Sequence, residues 1–441
     1  RPSKDPADRK VPGWLNDPLM YHNRGDSTFA GESAEYGDFS GLDDLWTERP
    51  EVVEGMKRIY QRWVRDFGVD GFRVDTVKHV DMDFWVQWAT ALDAYAAKQG
   101  RKNFFMFGEV YSGDPKITSR YVTKGRLDAT LDFPFQEAAR AYVSQGGSAQ
   151  VLSRMFAQDY RYTTDRANAY NQVTFLGNHD MGRIGSFIAQ DNRGASEDEL
   201  LRRARLAHEL MFLSRGQPVV YYGDEQGFTG SGGDKDARQP LFATAVPDYL
   251  DDDQIGTDRT HAQDAYDTRH PLFRTIASLS KLTKAHPALR DGVQTERYAA
   301  DGPGVYAFSR TDPQQRVEYL VAVNNATEAK RVSLPTYSAR MPFTRLLGGS
   351  GKAVTDAEGK LTTEVPALSS VVYRAARPIA TPSAKPSITL TAPGKGATGT
   401  VEVTAEIPGT GPGGGLHKVV FAAQTGRGKW KVLGAADHAP Y

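Results

Sequence analysis

The feature that most restricts how this chain can fold is a regular alternation of helix and strand patterns that begins near Glu51. The stretch PEVVEGMKRIYQRWVRDFG places apolar residues three and four positions apart and ends at Gly68, which is typical of an amphipathic helix. The strand pattern GFRVDTV follows, and about five such alternations occupy roughly 230 residues. Alternation of this kind predicts an α/β fold with a parallel sheet, either doubly wound or closed into a barrel.

The segment before this alternation, residues 1–50, is rich in Gly, Pro, Asp and Asn and shows no clear element. A structureless opening of that length is uncommon in a compact domain. A complete (β/α)8 barrel needs about 250 residues, so we expect a TIM barrel from which about three strands are missing because upstream sequence has been removed. An intact, smaller open sheet is the alternative.

Three acidic residues follow strand patterns, at the edge where parallel α/β folds carry their active sites: Asp75, Glu109 and Asp180. The two-residue period of a strand puts Arg73 on the same face as Asp75, and a nearby cation favours an ionised carboxylate. Glu109 follows the apolar run FFMF, and such surroundings raise the pKa of a carboxyl group. One ionised and one protonated acid are what retaining glycoside hydrolysis requires, although a single acid at a strand end is more often a turn former or a helix cap.

The composition excludes several classes of protein. The 54 Lys and Arg residues balance 54 Asp and Glu residues, so we expect neither a nucleic-acid partner nor an anionic membrane partner. The chain has no cysteine, which excludes disulfides, thiolate metal sites and a cysteine nucleophile. Its longest apolar runs have the length of strands and fall well short of a membrane span.

The carboxy-terminal third has a different pattern from the α/β region. From about Arg297 short strands alternate with Gly, Pro and Asn turns, which predicts an all-β domain over residues 297–376. The Pro, Ser and Ala residues of 377–387 indicate a linker. Residues 388–441 are similar to the start of an immunoglobulin-like β module, but roughly 100 residues are usual for one, so we expect only part of it.

Several segments resemble signature regions of the α-amylase family, glycoside hydrolase family 13. GFRVDTVKH, FGEV and FLGNHD occur in the family's order, VVYYGDEQG is similar to its eighth-strand motif, and GLDDLWTERPEV resembles the end of its long insertion after strand three. The resemblance implies that residues 1–50 end that insertion (domain B), that residues 51–296 hold about strands four to eight of the barrel, and that residues 297–376 are domain C, a β-sandwich. The family's first signature, an Asp-x-x-x-Asn-His type segment, is not found in this sequence.

The resemblance also implies catalytic roles. Asp75 corresponds to the nucleophile, Glu109 to the general acid and base, and Asp180 to the acid that holds sugar hydroxyls in the distorted transition state. Arg73 corresponds to the residue that orients Asp75 and keeps it ionised.

Further residues are implied to bind substrate and metal. His179 would donate to sugar hydroxyls near the cleaved bond, and Lys78 and His79 would line the leaving-group side. Asp44 and the main-chain carbonyl of His79 match two calcium ligand positions of the family, and calcium prefers oxygen ligands of this kind. The alternative is that Asp44 is only a turn acid.

The leading hypothesis is a secreted, monomeric bacterial enzyme that cuts α-1,4-glucosidic bonds inside starch or maltodextrin with retention. Within the same chemistry the alternatives are a glucanotransferase, an amylopullulanase and a maltogenic enzyme, because transfer and hydrolysis share one covalent intermediate. An alternative of another class is a non-catalytic, amylase-like protein that only binds sugar.

Overall fold

A computed structural model describes most of the chain, namely residues 9–230, 233, 235–349, 351–381, 385–394, 396–399, 401–408, 416–437 and 441. These residues form two compact units. The first comprises the described residues through Phe133 together with Arg166–Val173, and the second comprises Pro134–Asp165 and the described residues from Thr174 onward.

The first unit alternates helices with short strands, as the sequence predicts. Its elements are α1 (Ser33–Tyr36), α2 (Pro50–Phe67), β1 (Gly71–Val74), α3 (Met82–Lys98), β2 (Phe105–Gly108), α4 (Pro115–Thr123) and β3 (Ala129–Thr130). Helix α2 ends because Gly68 adopts a left-handed conformation with φ of 66°, which glycine accepts without steric cost.

Strands β1, β2 and β3 form a parallel sheet in that order. Gly71 lies opposite Phe105 and Val74 lies opposite Gly108. A Cβ atom on Gly71 would stand 2.1 Å from the Phe105 carbonyl oxygen, so only glycine lets β1 approach β2 this closely. The register places the residues that follow β1 and β2 side by side.

The core of the first unit lies between this sheet and helices α2 and α3. Trp85, Trp88, Leu92 and Met106 are buried in it, together with Val77 just after β1. The indole Nε1 of Trp85 donates to the Val77 carbonyl at 3.0 Å, which fixes the turn after β1 against α3. The two tryptophans are therefore core residues.

The second unit begins with further helices and two short strands. Its elements are α5 (Phe133–Ala139), a π-helical turn (Arg140–Ser144), α6 (Gln150–Phe156), β4 (Val173–Phe175), α7 (Ile184–Asp191), α8 (Glu197–Leu213), β5 (Gln217–Val219), α9 (Pro247–Leu250), α10 (Pro271–Ala285) and α11 (Ala288–Asp291). The first residues of α5 and β4, Phe133 and Val173, belong to the first unit. Strand β4 pairs with β5.

An all-β region follows within the second unit. Its strands are β6 (Val293–Ala299), β7 (Val305–Thr311), β8 (Glu318–Asn324), β9 (Lys330–Pro335), β10 (Pro342–Leu347), β11 (Lys352–Val354), β12 (Lys360–Val365) and β13 (Ser369–Ala375). Six of them form a sheet in the order β11-β10-β13-β8-β7-β6, and β12 pairs with β9.

The six-stranded sheet is covered on both faces, which explains why every residue of β7 and β8 is buried. Val305 and Ala307 face a core shared with β9 and β12, whereas Tyr306 and Phe308 face a core shared with the helices α5 to α8. The helical part of the second unit and the β region therefore have one common hydrophobic core.

The last described residues form two small antiparallel pairs. Strand β14 (Thr389–Thr391) pairs with β15 (Thr404–Glu406), and β16 (Val419–Ala423) pairs with β17 (Lys431–Ala436). The immunoglobulin-like identity of this segment stays a prediction. Residues 382–384 of the predicted linker lie outside the described residues, whereas Ile379 before them is buried and its N–H donates to the Arg316 carbonyl at 2.7 Å.

The structure has the predicted class, an α/β region followed by a β-sheet region. Five short strands, β1 to β5, belong to the α/β region in the described residues. That these are strands four to eight of a larger barrel stays a prediction, as do the domain boundaries expected from the sequence. Among the helices that the structure describes, none combines the length and apolar character needed to span a bilayer.

Candidate active site

Arg73 and Asp75 meet at the carboxyl end of β1. Arg73 is on the strand and Asp75 follows it, and the Arg73 guanidinium donates to the Asp75 carboxylate. The side chain of Asp75 is 63% exposed and that of Arg73 is 33% exposed, so this pair faces solvent at the edge of the sheet. A contact with a fixed cation favours the ionised form of Asp75.

Glu109 lies at the corresponding position after β2. Its backbone N–H donates to the Val74 carbonyl at 2.7 Å, which continues the parallel ladder beyond the strand. Its side chain is only 8% exposed, and Oε1 lies 3.3 Å from a guanidinium nitrogen of Arg73. Burial raises the pKa of Glu109 to about 7, and a hydrogen bond from the Thr76 N–H opposes that rise, while a hydrogen bond with the Asp75 carboxyl adds to it.

The turn between Asp75 and the next short helix has a strained residue at its centre. Thr76 has φ of 48°, a left-handed conformation that a β-branched residue rarely adopts. Its N–H donates to Glu109 Oε2 at 3.2 Å. The strained backbone thus supplies a hydrogen bond to the buried carboxyl group, and strain of this kind is concentrated at functional sites.

Lys78 and His79 follow on a single turn of 3-10 helix, Val77–His79. Lys78 Nζ donates to the Tyr111 carbonyl at 3.1 Å. His79 is half-buried, and its Nδ1 lies 2.9 Å from the Ala34 carbonyl. Burial lowers the pKa of His79, which keeps the ring neutral near pH 7 and makes Nδ1 the donor to Ala34. The first unit therefore brings Arg73, Asp75 and Glu109 together and places these two residues just beyond them.

His179 and Asp180 lie in the second unit, on the tight turn that follows β4. The turn is closed by paired backbone hydrogen bonds of 3.0 Å between Asn178 and Gly182. The Asn178 side chain accepts from the N–H groups of Asp180 and Met181 at 2.9 and 3.0 Å. His179 Nε2 lies 3.2 Å from Asp180 Oδ2, and both side chains are about one-third exposed. The turn thus presents an acid and an imidazole side by side.

The buried side chain of Arg183 holds this turn in place, and no sequence pattern pointed to this residue. The guanidinium is completely buried, donates to Gln239 Oε1 at 2.8 Å and to the carbonyls of Tyr222 and Ala237, and lies 3.6 Å from Asp224 Oδ1. The Tyr221 and Tyr222 rings stack on it. The turn that carries Asp180 is therefore anchored to the segment after β5, which includes the GDE of the motif VVYYGDEQG.

Asp44, one of the two predicted calcium ligands, is engaged by a histidine in the structure. Asp44 Oδ2 lies 2.5 Å from His22 Nδ1, and the other ring nitrogen of His22 lies 3.0 Å from Glu48. Burial raises the pKa of Asp44 to about 6, with the His22 hydrogen bond opposing the rise. Within the described ranges no group of three or more His, Asp or Glu side chains is arranged to hold a metal ion. Calcium also accepts carbonyl oxygens as ligands, so calcium binding at Asp44 and His79 stays a prediction.

The first unit supplies the two kinds of acid that a displacement at a sugar carbon needs. Asp75 is an exposed carboxylate held by a guanidinium, and Glu109 is a buried carboxyl group that keeps its proton up to about pH 7. The two carboxyl groups are within hydrogen-bonding reach of each other. An exposed carboxylate and a protonated carboxyl group, the kinds of group that can serve as nucleophile and proton donor, therefore follow adjacent strands.

The fold and this pair of acids define a class of protein, and a comparison with known families identifies it. Residues 4–292 match the family model described as "Alpha amylase, catalytic domain". The chain belongs to this family, glycoside hydrolase family 13, whose catalytic domain is a (β/α)8 barrel followed by a β-sheet domain.

Individual relatives are consistent with this assignment. The chain is 68% identical to an alpha-amylase of Streptomyces lividans over 432 aligned residues. The aligned region covers 98% of this chain and 47% of the relative. It is 28% identical to a cyclomaltodextrin glucanotransferase of Niallia circulans over 362 aligned residues, and this aligned region covers 80% of this chain and 44% of the relative. The chain thus spans about half the length of these relatives.

Solved structures agree with the fold. The crystal structure of an alpha-amylase from Geobacillus thermoleovorans, complexed with acarbose, has 25% sequence identity and a TM-score of 0.66, covering 82% of this chain and 73% of that chain. An alpha-amylase from Anoxybacillus has 27% identity and the same TM-score, covering 84% of this chain and 73% of that chain.

Proposed function

We propose that this protein is a retaining glycoside hydrolase that cuts α-1,4-glucosidic bonds within starch and maltodextrin. The observation that carries the proposal is the contact of Arg73 with both Asp75 and Glu109, one acid exposed and one buried with a raised pKa. The name of the Streptomyces lividans relative and the acarbose complex of the Geobacillus enzyme support an α-glucan substrate.

The proposed reaction has two steps. The Asp75 carboxylate attacks the anomeric carbon while the bond to the glycosidic oxygen breaks and that oxygen takes the proton of Glu109. The Glu109 carboxylate then removes a proton from water, whose oxygen attacks the same carbon and releases Asp75. Retaining enzymes hold the two carboxyl groups about 5–5.5 Å apart, so the exposed Asp75 side chain must move off Glu109 when a sugar enters.

We assign supporting roles to the other predicted residues. Asp180 accepts hydrogen bonds from sugar hydroxyls in the transition state, and the neighbouring His179 donates to them. Lys78 and His79 line the leaving-group side. Arg73 keeps Asp75 ionised, because its fixed charge offsets the loss of water when a sugar covers the carboxylate.

Substitution of the nucleophile tests the proposal. We expect Asp75→Asn to lower the release of reducing ends from soluble starch by roughly 10⁴-fold or more, as is usual when a nucleophile is removed. The matched control is Asp70→Asn, because Asp70 is an acid on the same segment whose side chain is 86% exposed and paired with Arg101. Both are assayed in the chain as it stands and in a version extended at its amino terminus by the corresponding segment of the Streptomyces lividans relative.

The outcomes separate the alternatives. Unchanged turnover in Asp75→Asn would falsify the assignment of the nucleophile. Calorimetric binding of maltoheptaose with no product from either wild-type version would favour a sugar-binding protein. Cyclic or elongated products from maltoheptaose would favour a glucanotransferase, which the name of the Niallia circulans relative makes the second candidate.

We further propose that the protein is secreted, monomeric and able to bind calcium. A cysteine-free sequence with a balanced charge is compatible with an extracellular bacterial enzyme. Light scattering of the purified chain tests the monomer, with a dimer mass as the contrary result. Calorimetric titration with CaCl₂ after chelation tests calcium, and Asp44→Asn should weaken any binding that is found.

A further inference from the structure

A cavity of about 320 Å³ lies in the second unit, and the turn that carries Asp180 is not part of its lining. It is formed by α8, the beginning of α10 and Leu347 at the end of β10. Three arginines, Arg205, Arg269 and Arg274, and one acid, Glu209, line it. Its volume is at the lower end of the range for small-ligand sites, and its lining is strongly cationic.

Arg205 on α8 contributes its guanidinium to the inner wall. The Nε atom of Arg205 is inaccessible to solvent and has no hydrogen-bond acceptor among the described atoms. Because Nε is covered by protein, an anion in the cavity would meet the outer part of the Arg205 guanidinium, which lines the wall. The other two arginines form the rim: Arg274 is exposed, and Arg269, whose side chain is 81% exposed, lies 3.3 Å from Asp267.

The acid in the wall is already engaged by the β region. Ser370 on β13 donates its hydroxyl to Glu209 Oε2 at 2.6 Å. Burial raises the pKa of Glu209 to about 7, while the Ser370 hydrogen bond and the nearby Arg205 oppose the rise. Near neutral pH the carboxyl group is therefore partly protonated, and it does not neutralise the arginines fully.

The backbone adds to the positive potential of the cavity. Helix α10 begins at Pro271, and its first turn, with Arg274 and Thr275, lines the cavity. The amino-terminal end of a helix of 15 residues carries a partial positive charge that attracts anions. The charge of the three arginines and the helix end therefore act in the same direction.

We propose that this cavity binds a tetrahedral oxyanion, either free inorganic phosphate or sulfate or the phosphoryl group of a sugar phosphate. The bound group accepts hydrogen bonds from Arg205 on the inner wall and from Arg274 on the rim. It joins α8, α10 and β10, so it ties the helices to the sheet that shares their core. This site is independent of Asp75 and Glu109 and goes beyond the proposed hydrolysis.

The proton on Glu209 should control the affinity of the site for an anion. The titratable and charged groups that face the cavity or its rim are Arg205, Glu209, Asp267, Arg269, His270 and Arg274. Burial lowers the pKa of His270, so it stays neutral above about pH 6.5, and the Asp267 carboxyl is ionised throughout, its pKa lowered by hydrogen bonds from Arg269. Glu209 is then the group whose charge changes between pH 6.5 and 8.5, and its ionisation opposes the anion.

Calorimetric titration with sodium sulfate, against sodium chloride at equal ionic strength, tests the proposal, because sulfate stays a dianion over this pH range. We expect saturable sulfate binding that is several-fold tighter at pH 6.5 than at pH 8.5. Arg274→Ala and Arg205→Met should each weaken it roughly tenfold or more, since each removes a charge-assisted hydrogen bond. Arg202→Ala is the matched control, because Arg202 is on the same helix but exposed and paired with Asp198.

Two further arms complete the experiment. Glu209→Gln should bind sulfate equally well at both pH values, since it carries no charge and can still accept from Ser370. Inorganic phosphate, glucose 6-phosphate and glucose distinguish the source of the anion: tighter binding of glucose 6-phosphate assigns a sugar phosphate, and equal binding of the two phosphates assigns the free anion. The site is overturned if no anion binds saturably, or if Arg274→Ala and Arg205→Met bind as the wild type does.

Discussion

At the scale of single residues, the side chain that matters most is Glu109, because burial and Asp75 together keep a proton on it up to about pH 7. A general acid must be protonated to act, so we expect kcat/KM for maltooligosaccharides to fall about tenfold per pH unit above pH 7. Glu109→Gln should remove this alkaline limb and lower kcat/KM by roughly 10²–10⁴-fold. The pH profile of kcat/KM in both proteins checks the prediction.

The leaving group provides the control for this prediction. An aryl maltotrioside with an acidic phenol leaves without help from a proton donor, so its kcat/KM should fall far less in Glu109→Gln than that of maltooligosaccharide. Equal losses on both substrates would mean that Glu109 acts in some other way, such as through the shape of the site.

At the scale of elements, the decisive contact is the anchor that Arg183 forms between the turn after β4 and the segment after β5. We expect Arg183→Met to lower the free energy of unfolding by about 3–5 kcal/mol, because it leaves the buried Asp224 without its cation. The variant Arg183→Met/Asp224→Asn should recover part of that loss. Urea unfolding of the three proteins measures both effects.

An exposed ion pair supplies the comparison. Arg62 is 69% exposed and paired with Asp66 on α2, so Arg62→Met should cost less than about 1 kcal/mol. A similar cost for Arg183→Met and Arg62→Met would show that the anchor contributes little to stability.

Local patterns explain what could be predicted at this scale. The three- and four-residue period predicted α2 and Gly68 its carboxy-terminal end, and the two-residue strand period correctly placed Arg73 beside Asp75. Arg183 could not be found this way, since its acceptors Tyr222 and Gln239 lie 39 and 56 residues downstream in segments with no period. The His22 contact that engages Asp44 spans 22 residues of irregular chain and was missed for the same reason.

At the scale of the whole molecule, helices α5 to α8 share a hydrophobic core with strands β7, β8 and β13. The stability of the helices should therefore depend on the presence of the β region. We expect a chain that ends at residue 292 to be insoluble or unfolded, because it would expose the helical surface that Tyr306, Phe308 and Val321 cover. Soluble yield, near-ultraviolet circular dichroism and thermal unfolding measure the effect.

A second truncation is the matched control. A chain that ends at residue 387 loses β14 to β17, whose small core of Ala405, Ile407, Val419 and Tyr441 is separate from the common core. It should keep the melting temperature of the main transition within a few degrees. Folding of the shorter chain with native-like spectra would contradict the idea of one shared core.

The close approach of β1 and β2 has a consequence for stereochemistry. Neighbouring strands lie about 4.7–4.9 Å apart, and the register puts Asp75 and Glu109 at matching positions beyond two neighbours. Twice that spacing, about 9–10 Å, falls near the upper end of the separation that inverting glycosidases use. Under the proposed mechanism, the number of strands between the two acids would therefore decide whether the product keeps or inverts its anomeric configuration. Leu131 directly follows β3 and lies beside Glu109 in register, so we expect that moving the proton donor to this position would favour inversion.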